Sequence, residues 1–145
     1  MAIQVKPIAL WRREVENRPG ALAETISPLA GVGANLQILM GYRHADGSRA
    51  IIELSPVTGK KATAAAQAAG LSPSGIPTLR VEGDDRVGVV HAIAQSLAGA
   101  GINIAFLMAQ AVGRKFSAVV GFESDADAKT AAGLIKKLKA TSKKK

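Results

Sequence analysis

The sequence repeats itself, and this repeat limits the folds that the chain can adopt. LAGVGANLQILM, which begins at Leu29, returns as LAGAGINIAFLM, which begins at Leu97, at a spacing of 68 residues. The same spacing, without a gap, also superposes Arg18 on Arg86, Gly20 on Gly88 and Ala50 on Ala118. Identities at one fixed spacing are typical of a duplicated structural unit. We predict a first unit over residues 1–75, a second over 76–139, and a basic, disordered tail over 140–145.

Hydrophobic periodicity predicts the order β-α-β-β-α in each copy. Both copies contain one apolar stripe with helical spacing. The stripe residues are Leu22, Ile26, Leu29 and Ala30 in the first copy and Val90, Ala94, Leu97 and Ala98 in the second. Ser55 before Pro56, and Ser124 before Asp127, are candidate caps for the second helix of each copy. The other elements predicted in the first copy are strands over 8–16, 35–43 and 49–55, a hairpin turn over 45–48 and a helix over 57–69.

This order of elements, followed by one more strand, is that of a ferredoxin-like unit. Neither copy has a clear segment for the last strand. We therefore predict an α+β fold in which the first strands of the two copies pair, giving one six-stranded antiparallel sheet with the helices on one face. Antiparallel partners have a constant sum of residue numbers, so this register pairs Arg12 with Glu82 and Glu14 with Arg80 as surface ion pairs. The alternative is four unpaired surface charges.

The segment VENRPGALAETISPLAGVGANLQIL resembles the start of an ACT domain, a small βαββαβ regulatory module. The matching residues are Asn17, Pro19, Gly20, Leu22, Gly33 and Asn35, and in the second copy Gly88, Val90, Gly101, Asn103 and Ile104. The second copy departs from the pattern at Asp85 and Val87. The resemblance covers nearly the whole chain apart from the tail and the last strands. It implies two ferredoxin-like ACT units in tandem without a catalytic domain, with ligands at the loop before the first helix and units paired edge to edge.

The chemistry of these loops also favours a ligand. The free N–H groups at a helix start favour a carboxylate, and Gly20 allows a close approach to the backbone. Asn17 or Arg18 would cap the helix, while Asn17, Asn35 and backbone carbonyls would accept hydrogen bonds from an ammonium group.

The two loops differ in charge. In the second copy, Asp84 and Asp85 would hold an ammonium group more strongly but repel a carboxylate, so we expect sites that are not equivalent. The alternative is a pair of capped turns without a ligand. The candidate binding residues are Asn17, Arg18, Pro19, Gly20, Ala21, Leu22 and Asn35 in the first copy and Asp85, Arg86, Val87, Gly88, Val89 and Asn103 in the second.

The composition and charge limit the classes of function that remain possible. The net charge is +8, but residues 136–145 contain six lysines and no acid, so the rest of the chain is nearly neutral. A third interpretation is that this tail makes weak contact with nucleic acid. The contact would be weak because the sequence has no aromatic platform for stacking bases. The chain has no cysteine, which excludes disulfides and thiolate sites. No apolar run of about 18 residues occurs, so we expect no membrane span and a cytoplasmic protein.

The sequence offers no catalytic signature. Its two histidines, His44 and His91, occupy different parts of the repeat, and no Ser-His-Asp set or metal-binding spacing occurs. GVGANL and GAGINI lack the third glycine of a dinucleotide-binding motif and follow a helix. We predict a regulatory protein without enzymatic activity, cofactor or metal. It would bind a free amino acid or similar small carboxylate, form a homodimer and act on an unknown partner. The alternative is a ligand-free protein-interaction module.

Overall fold

A computed structural model describes residues 3–142, with side chains as far as residue 138. It is an α+β protein with two antiparallel four-stranded sheets and four helices. The elements are β1 (Gln4–Ile8), β2 (Trp11–Glu16), α1 (Ala21–Gly31), β3 (Ile38–Arg43), β4 (Arg49–Ser55), α2 (Gly59–Ala68), β5 (Ser72–Pro73), β6 (Thr78–Asp84), α3 (Val89–Gly99), β7 (Ile104–Val112), β8 (Lys115–Phe122) and α4 (Asp125–Ser142). The predicted tail begins within α4, and its last three residues lie outside the described part of the chain.

The two sheets replace the predicted six-stranded sheet, which is wrong. The predicted strand over 8–16 corresponds to β2, whereas β1 shares only Ile8 with it, and these two strands enter different sheets. One sheet has the order β3-β4-β2-β5 and the other the order β1-β6-β8-β7. The short strand β5 and the N-terminal strand β1 thus take the places that the predicted pairing between copies would have filled. All pairs are antiparallel.

The chain forms two compact units, which follow these sheets. The first unit is Ala9–Gly75, and the second joins β1 to the chain from Ile76 onward. The sequence prediction placed residues 1–8 in the first unit. They belong to the second because the backbone of β1 pairs with β6, from Gln4 opposite Glu82 to Ile8 opposite Thr78.

The predicted ion pairs are also wrong, because their strands do not pair. Arg12 lies opposite Glu53, and Arg80 lies between Lys6 and Val119. The carboxylates find other partners in their own sheets. Glu14 approaches Arg49 at 3.5 Å, and Glu82 approaches Arg80 at 3.6 Å.

Each unit has its core between its helices and one face of its sheet. Leu29 of α1 and Ala66 of α2 pack with Leu54 of β4 in the first unit, and all three are fully buried. In the second unit, the buried side chains of α3 and α4 pack in the same way against those of β6 and β8. Burial of each large apolar side chain contributes about 1.5–3 kcal/mol to stability.

The buried stripe of each first helix is rotated from the predicted one. In α1 the buried residues are Ala21, Thr25 and Leu29, while Leu22 is 44% exposed. Thr25 is accepted in the core because its hydroxyl donates to the Ala21 carbonyl and accepts from Arg13. The predicted stripe did not include Thr25. The corresponding stripe in α3 is Val89, Ile93 and Leu97.

The repeat requires a gap at its hairpin, contrary to the gap-free alignment. The turn between paired residues is 45–48 in the first unit but only 113–114 in the second. Up to this turn the spacing is 68 residues, as for Arg12 and Arg80. After it the spacing is 66, because Glu53 opposite Arg12 corresponds to Val119 opposite Arg80. The match of Ala50 to Ala118 is therefore a coincidence.

Candidate functional site

Both predicted loops connect a strand end to a helix start, and both end in a glycine with left-handed geometry. Gly20 has φ 88° before α1, and Gly88 has φ 82° before α3. Among residues 3–142, neither helix has a side-chain hydrogen bond at its N-cap. The prediction that Asn17 or Arg18 caps the helix is therefore wrong. The N–H groups of Ala21 and Val89 donate to the backbone carbonyls of Arg18 and Arg86, and the N–H groups that follow in each first turn have no side-chain cap.

Asn17 and Asp85 fix their loops to the neighbouring hairpins. The side-chain amide of Asn17 donates to the Gly47 carbonyl at 2.8 Å, and its backbone N–H donates to Ser48. Asp85 achieves the same connection with its backbone alone, donating to the Arg114 carbonyl at 2.8 Å. Its carboxylate is left exposed beside the loop.

Arg18 is held by acidic neighbours. Its guanidinium donates two hydrogen bonds to Glu24, at 2.6 and 3.0 Å, and lies 3.7 Å from Glu16. The hydrogen bonds and charge of Arg18 lower the pKa of Glu24. Since all these groups are exposed, the cluster adds little to stability, but it orients Arg18 along the helix start.

Asp84 is neutralised by a lysine across the strand pair. Lys115 donates to its carboxylate at 2.8 Å, and this hydrogen bond lowers the pKa of Asp84. The predicted repulsion between Asp84 and a bound carboxylate is weakened accordingly. Asp85 and Arg86 then supply the charges nearest to the helix start.

The structure separates Asn35 and Asn103 from the loops. Asn35 follows the C-terminus of α1, whose eleven residues span about 16 Å from the loop. Asn103 follows α3 in the same way, and its amide donates to Glu123 at 2.7 Å. The matching positions in the sequence therefore lie between the first helix of each unit and the next strand, and they do not join the loop residues.

A cavity of about 360 Å³ lies beside the loop of the first unit. Asn17, Arg18, Ala21 and Leu22 form one wall. The sequence prediction missed the opposite wall, which β3 and β4 supply with residues 41–43 and 50–52. The sequence could have identified this wall only through the pairing of these strands. Pro19 is exposed and does not line the cavity, and Ala21 is buried at its base.

The loop of the second unit borders a smaller cavity, of about 250 Å³. Its lining residues are Asp85, Arg86, Gly88, Val89, Val90, His91, residues 109–111 and Phe116. Val87 is fully exposed and lies outside this cavity. Within the described chain, no atom lies within 4 Å of the position that a Gly88 side chain would occupy. A ligand can therefore reach the backbone at this point.

Comparison with known proteins identifies the fold and no family. No family model and no curated protein sequence matches the chain. A structure from Bacteroides thetaiotaomicron matches with a TM-score of 0.75 at 17% identity, over 95% of this chain and 90% of that one. The aspartokinase alpha and beta subunits match with a TM-score of 0.65 at 16% identity, over 97% and 98%. The ligand-free regulatory subunit of aspartate kinase from Thermus thermophilus matches with a TM-score of 0.62 at 14% identity, over 93% and 95%.

These likenesses confirm the predicted fold class, α+β with two ferredoxin-like units in tandem. The match extends over nearly the full length of both chains in each comparison. No helix of residues 3–142 is long and apolar enough to cross a membrane.

Proposed function

We propose that the protein is a non-catalytic regulatory protein that binds a free amino acid at the loops before α1 and α3. One observation supports this most directly. In both units, a helix start without a side-chain cap borders a cavity of 250–360 Å³.

The loops provide complementary groups for an amino acid. The N–H groups of the first turn and the helix dipole favour its carboxylate. Gly88 leaves the backbone accessible, whereas the Arg18 guanidinium lies 3.8 Å from the position of a Gly20 side chain. Backbone carbonyls accept hydrogen bonds from its ammonium group in either unit. In the second unit the exposed Asp85 adds a charged acceptor, whereas in the first unit Arg18 adds a donor that Glu24 already orients. The two sites therefore differ in preference.

The regulatory part of the proposal draws on the structural neighbours. One of them is named as the regulatory subunit of aspartate kinase, and it shares the fold over 93% of this chain. We propose that binding changes how a homodimer packs, which would alter an unidentified partner protein in the cytoplasm.

A thermal-shift screen against the twenty amino acids tests the proposal. A ligand at 100 times its dissociation constant stabilises the folded protein by about 2.7 kcal/mol, so the melting temperature should rise with concentration. Gly20→Ala and Gly88→Ala should abolish this rise, because a side chain at these positive φ angles distorts the loop.

Gly33→Ala and Gly101→Ala are matched controls. These glycines also have positive φ, 75° and 73°, but they follow the helices instead of preceding them. They should lower the melting temperature and keep the ligand response. A flat response of the unmodified protein to all twenty amino acids would instead favour a protein-interaction module. The exposed side chains of Leu39 and Tyr42 on β3, and Leu107 on β7, offer edge surfaces for that role.

A further inference from the structure

One face of the second sheet carries polar side chains in a single row. Gln4 lies opposite Glu82, Glu82 opposite Ser117, and Ser117 opposite Gln110. Opposite residues in an antiparallel sheet share a face, and adjacent residues such as Val81 and Ala118 belong to the core beneath the helices. The row therefore lies on the face away from the helices. We name these four residues the polar row.

A cavity of about 320 Å³ covers the polar row. Its remaining lining comes from Gly83, Val112, Lys115 and Phe116. Within the described chain, no intramolecular hydrogen bond engages the side chains of Gln4, Gln110 or Ser117. These amides and this hydroxyl thus offer both donors and acceptors to a small molecule.

Two opposite charges border the same cavity. The Glu82 side chain is 43% exposed and lies 3.6 Å from Arg80, and Lys115 is 73% exposed and donates one hydrogen bond to Asp84. Each charge is balanced locally, so the cavity is close to neutral. Glu82 and Lys115 are diagonal neighbours on paired strands, with backbones roughly 7–8 Å apart. The two side chains place an acceptor and a donor at neighbouring positions of the cavity, which suits a zwitterion.

In the first unit, larger residues occupy two of the positions that correspond to the polar row. Ile51 stands in the place of Ser117, and Tyr42 in the place of Gln110. Ile51 is buried, and the Tyr42 hydroxyl donates to Glu53 at 2.6 Å. The carboxylate itself is retained, since Glu14 corresponds to Glu82. The two units therefore differ in the size and polarity of the side chains on this face.

We propose that the polar row of the second unit is a separate binding site for a small zwitterion whose amine and carboxylate are joined by a short chain. Glu82 and the amide oxygens of the two glutamines accept hydrogen bonds from the amine. Lys115 and the Ser117 hydroxyl donate to the carboxylate. The site uses no group of the helix start and does not depend on amino-acid binding at the loops.

Residue-resolved NMR of the full-length protein tests this site with 4-aminobutanoate as the probe. We expect saturable shifts at the backbone amides of Glu82 and Ser117 and at the side-chain amide of Gln4. Butylamine and butanoate, which each lack one charge, should shift these signals at least tenfold less at equal concentration. Equal responses to all three compounds, or no response at these residues to millimolar 4-aminobutanoate, would overturn the proposal.

Two substitutions of Ser117 distinguish the effect of closing the cavity from an effect on the fold. Ser117→Ile introduces the residue that the first unit has at this position, so the backbone should tolerate it while the cavity closes and the response disappears. Ser117→Ala leaves the cavity open and should reduce the affinity only a few-fold. A full response in Ser117→Ile would refute the site. Gln110 and Phe116 border both this cavity and the one beside Gly88, so shifts at residues 88–90 alone would indicate binding at the loop.

Discussion

At the scale of single residues, the most unusual group is the carboxylate of Glu53, which is only 2% exposed. One of its oxygens accepts from the Tyr42 hydroxyl, and the other has no hydrogen-bond partner among the described residues. Burial, together with this hydrogen bond, raises the pKa of Tyr42 to about 12. Val119 occupies the corresponding position of the second unit and is fully buried. The duplicated fold therefore accepts an apolar residue at this position.

We expect Glu53→Val to stabilise the protein by about 1–3 kcal/mol. A buried polar atom without a partner costs about that much, and an apolar replacement of similar shape removes the cost. Tyr42 is half-exposed and can bond to water after the change. Urea unfolding at neutral pH measures the difference. Tyr42→Phe is the control, and it should destabilise because it leaves both oxygens of Glu53 unpaired. A lower unfolding midpoint for Glu53→Val would contradict this assignment.

At the scale of elements, two glycines of the second unit have opposite roles. Gly121 of β8 lies under the ring of Phe106, which occupies the space that a side chain would need. Gly133 of α4 is exposed, and no other described atom lies within 4 Å of its missing side chain. The first glycine permits a close contact between strands, whereas the second only weakens a helix.

Alanine at these two positions should therefore have opposite effects. Gly121→Ala should destabilise by about 1–3 kcal/mol, because the ring of Phe106 must move. Gly133→Ala should stabilise by about 0.5–1 kcal/mol through its higher helix propensity. Thermal unfolding of both variants provides the measurement. Similar effects of the same sign would show that Phe106 does not pack on β8 as described.

Local sequence patterns predicted the secondary-structure elements better than they predicted which strands pair. The strand over 49–55 and the cap at Ser124 are confirmed, the latter by the hydrogen bond from Asp127 at 3.1 Å. The cap expected at Ser55 is wrong, since this residue ends β4 and α2 begins at Gly59. β5 contains only two residues, too few for a hydrophobic period to reveal.

Prediction of the candidate site was limited in the same way. The repeat located both loops, because the glycines that precede the two helices, Gly20 and Gly88, align at the spacing of the repeat. The cavity walls on β3 and β4, and the polar row, depend on which strands lie side by side. A single sequence contains no local signal for such contacts between distant residues.

At the scale of the whole molecule, removal of β1 tests how the chain is divided into two units. Deleting residues 1–8 should expose the edge of β6 and destabilise the second unit, while the first unit keeps all its strands. Hydrogen exchange should therefore accelerate at Val81 and the rest of β6, with β4 unchanged as the internal reference. Faster exchange in β4 with β6 unaffected would contradict the assignment of β1.

The placement of β1 also has a consequence for synthesis. The ribosome releases β1 before the first unit, but its partner β6 emerges only after all of Ala9–Gly75. The first unit can therefore fold while the second unit, whose sequence flanks it on both sides, is still being synthesised. A newly made chain therefore holds β1 without its partner at least until Asp84 has been synthesised, and pairing the two strands closes a loop that contains the whole first unit.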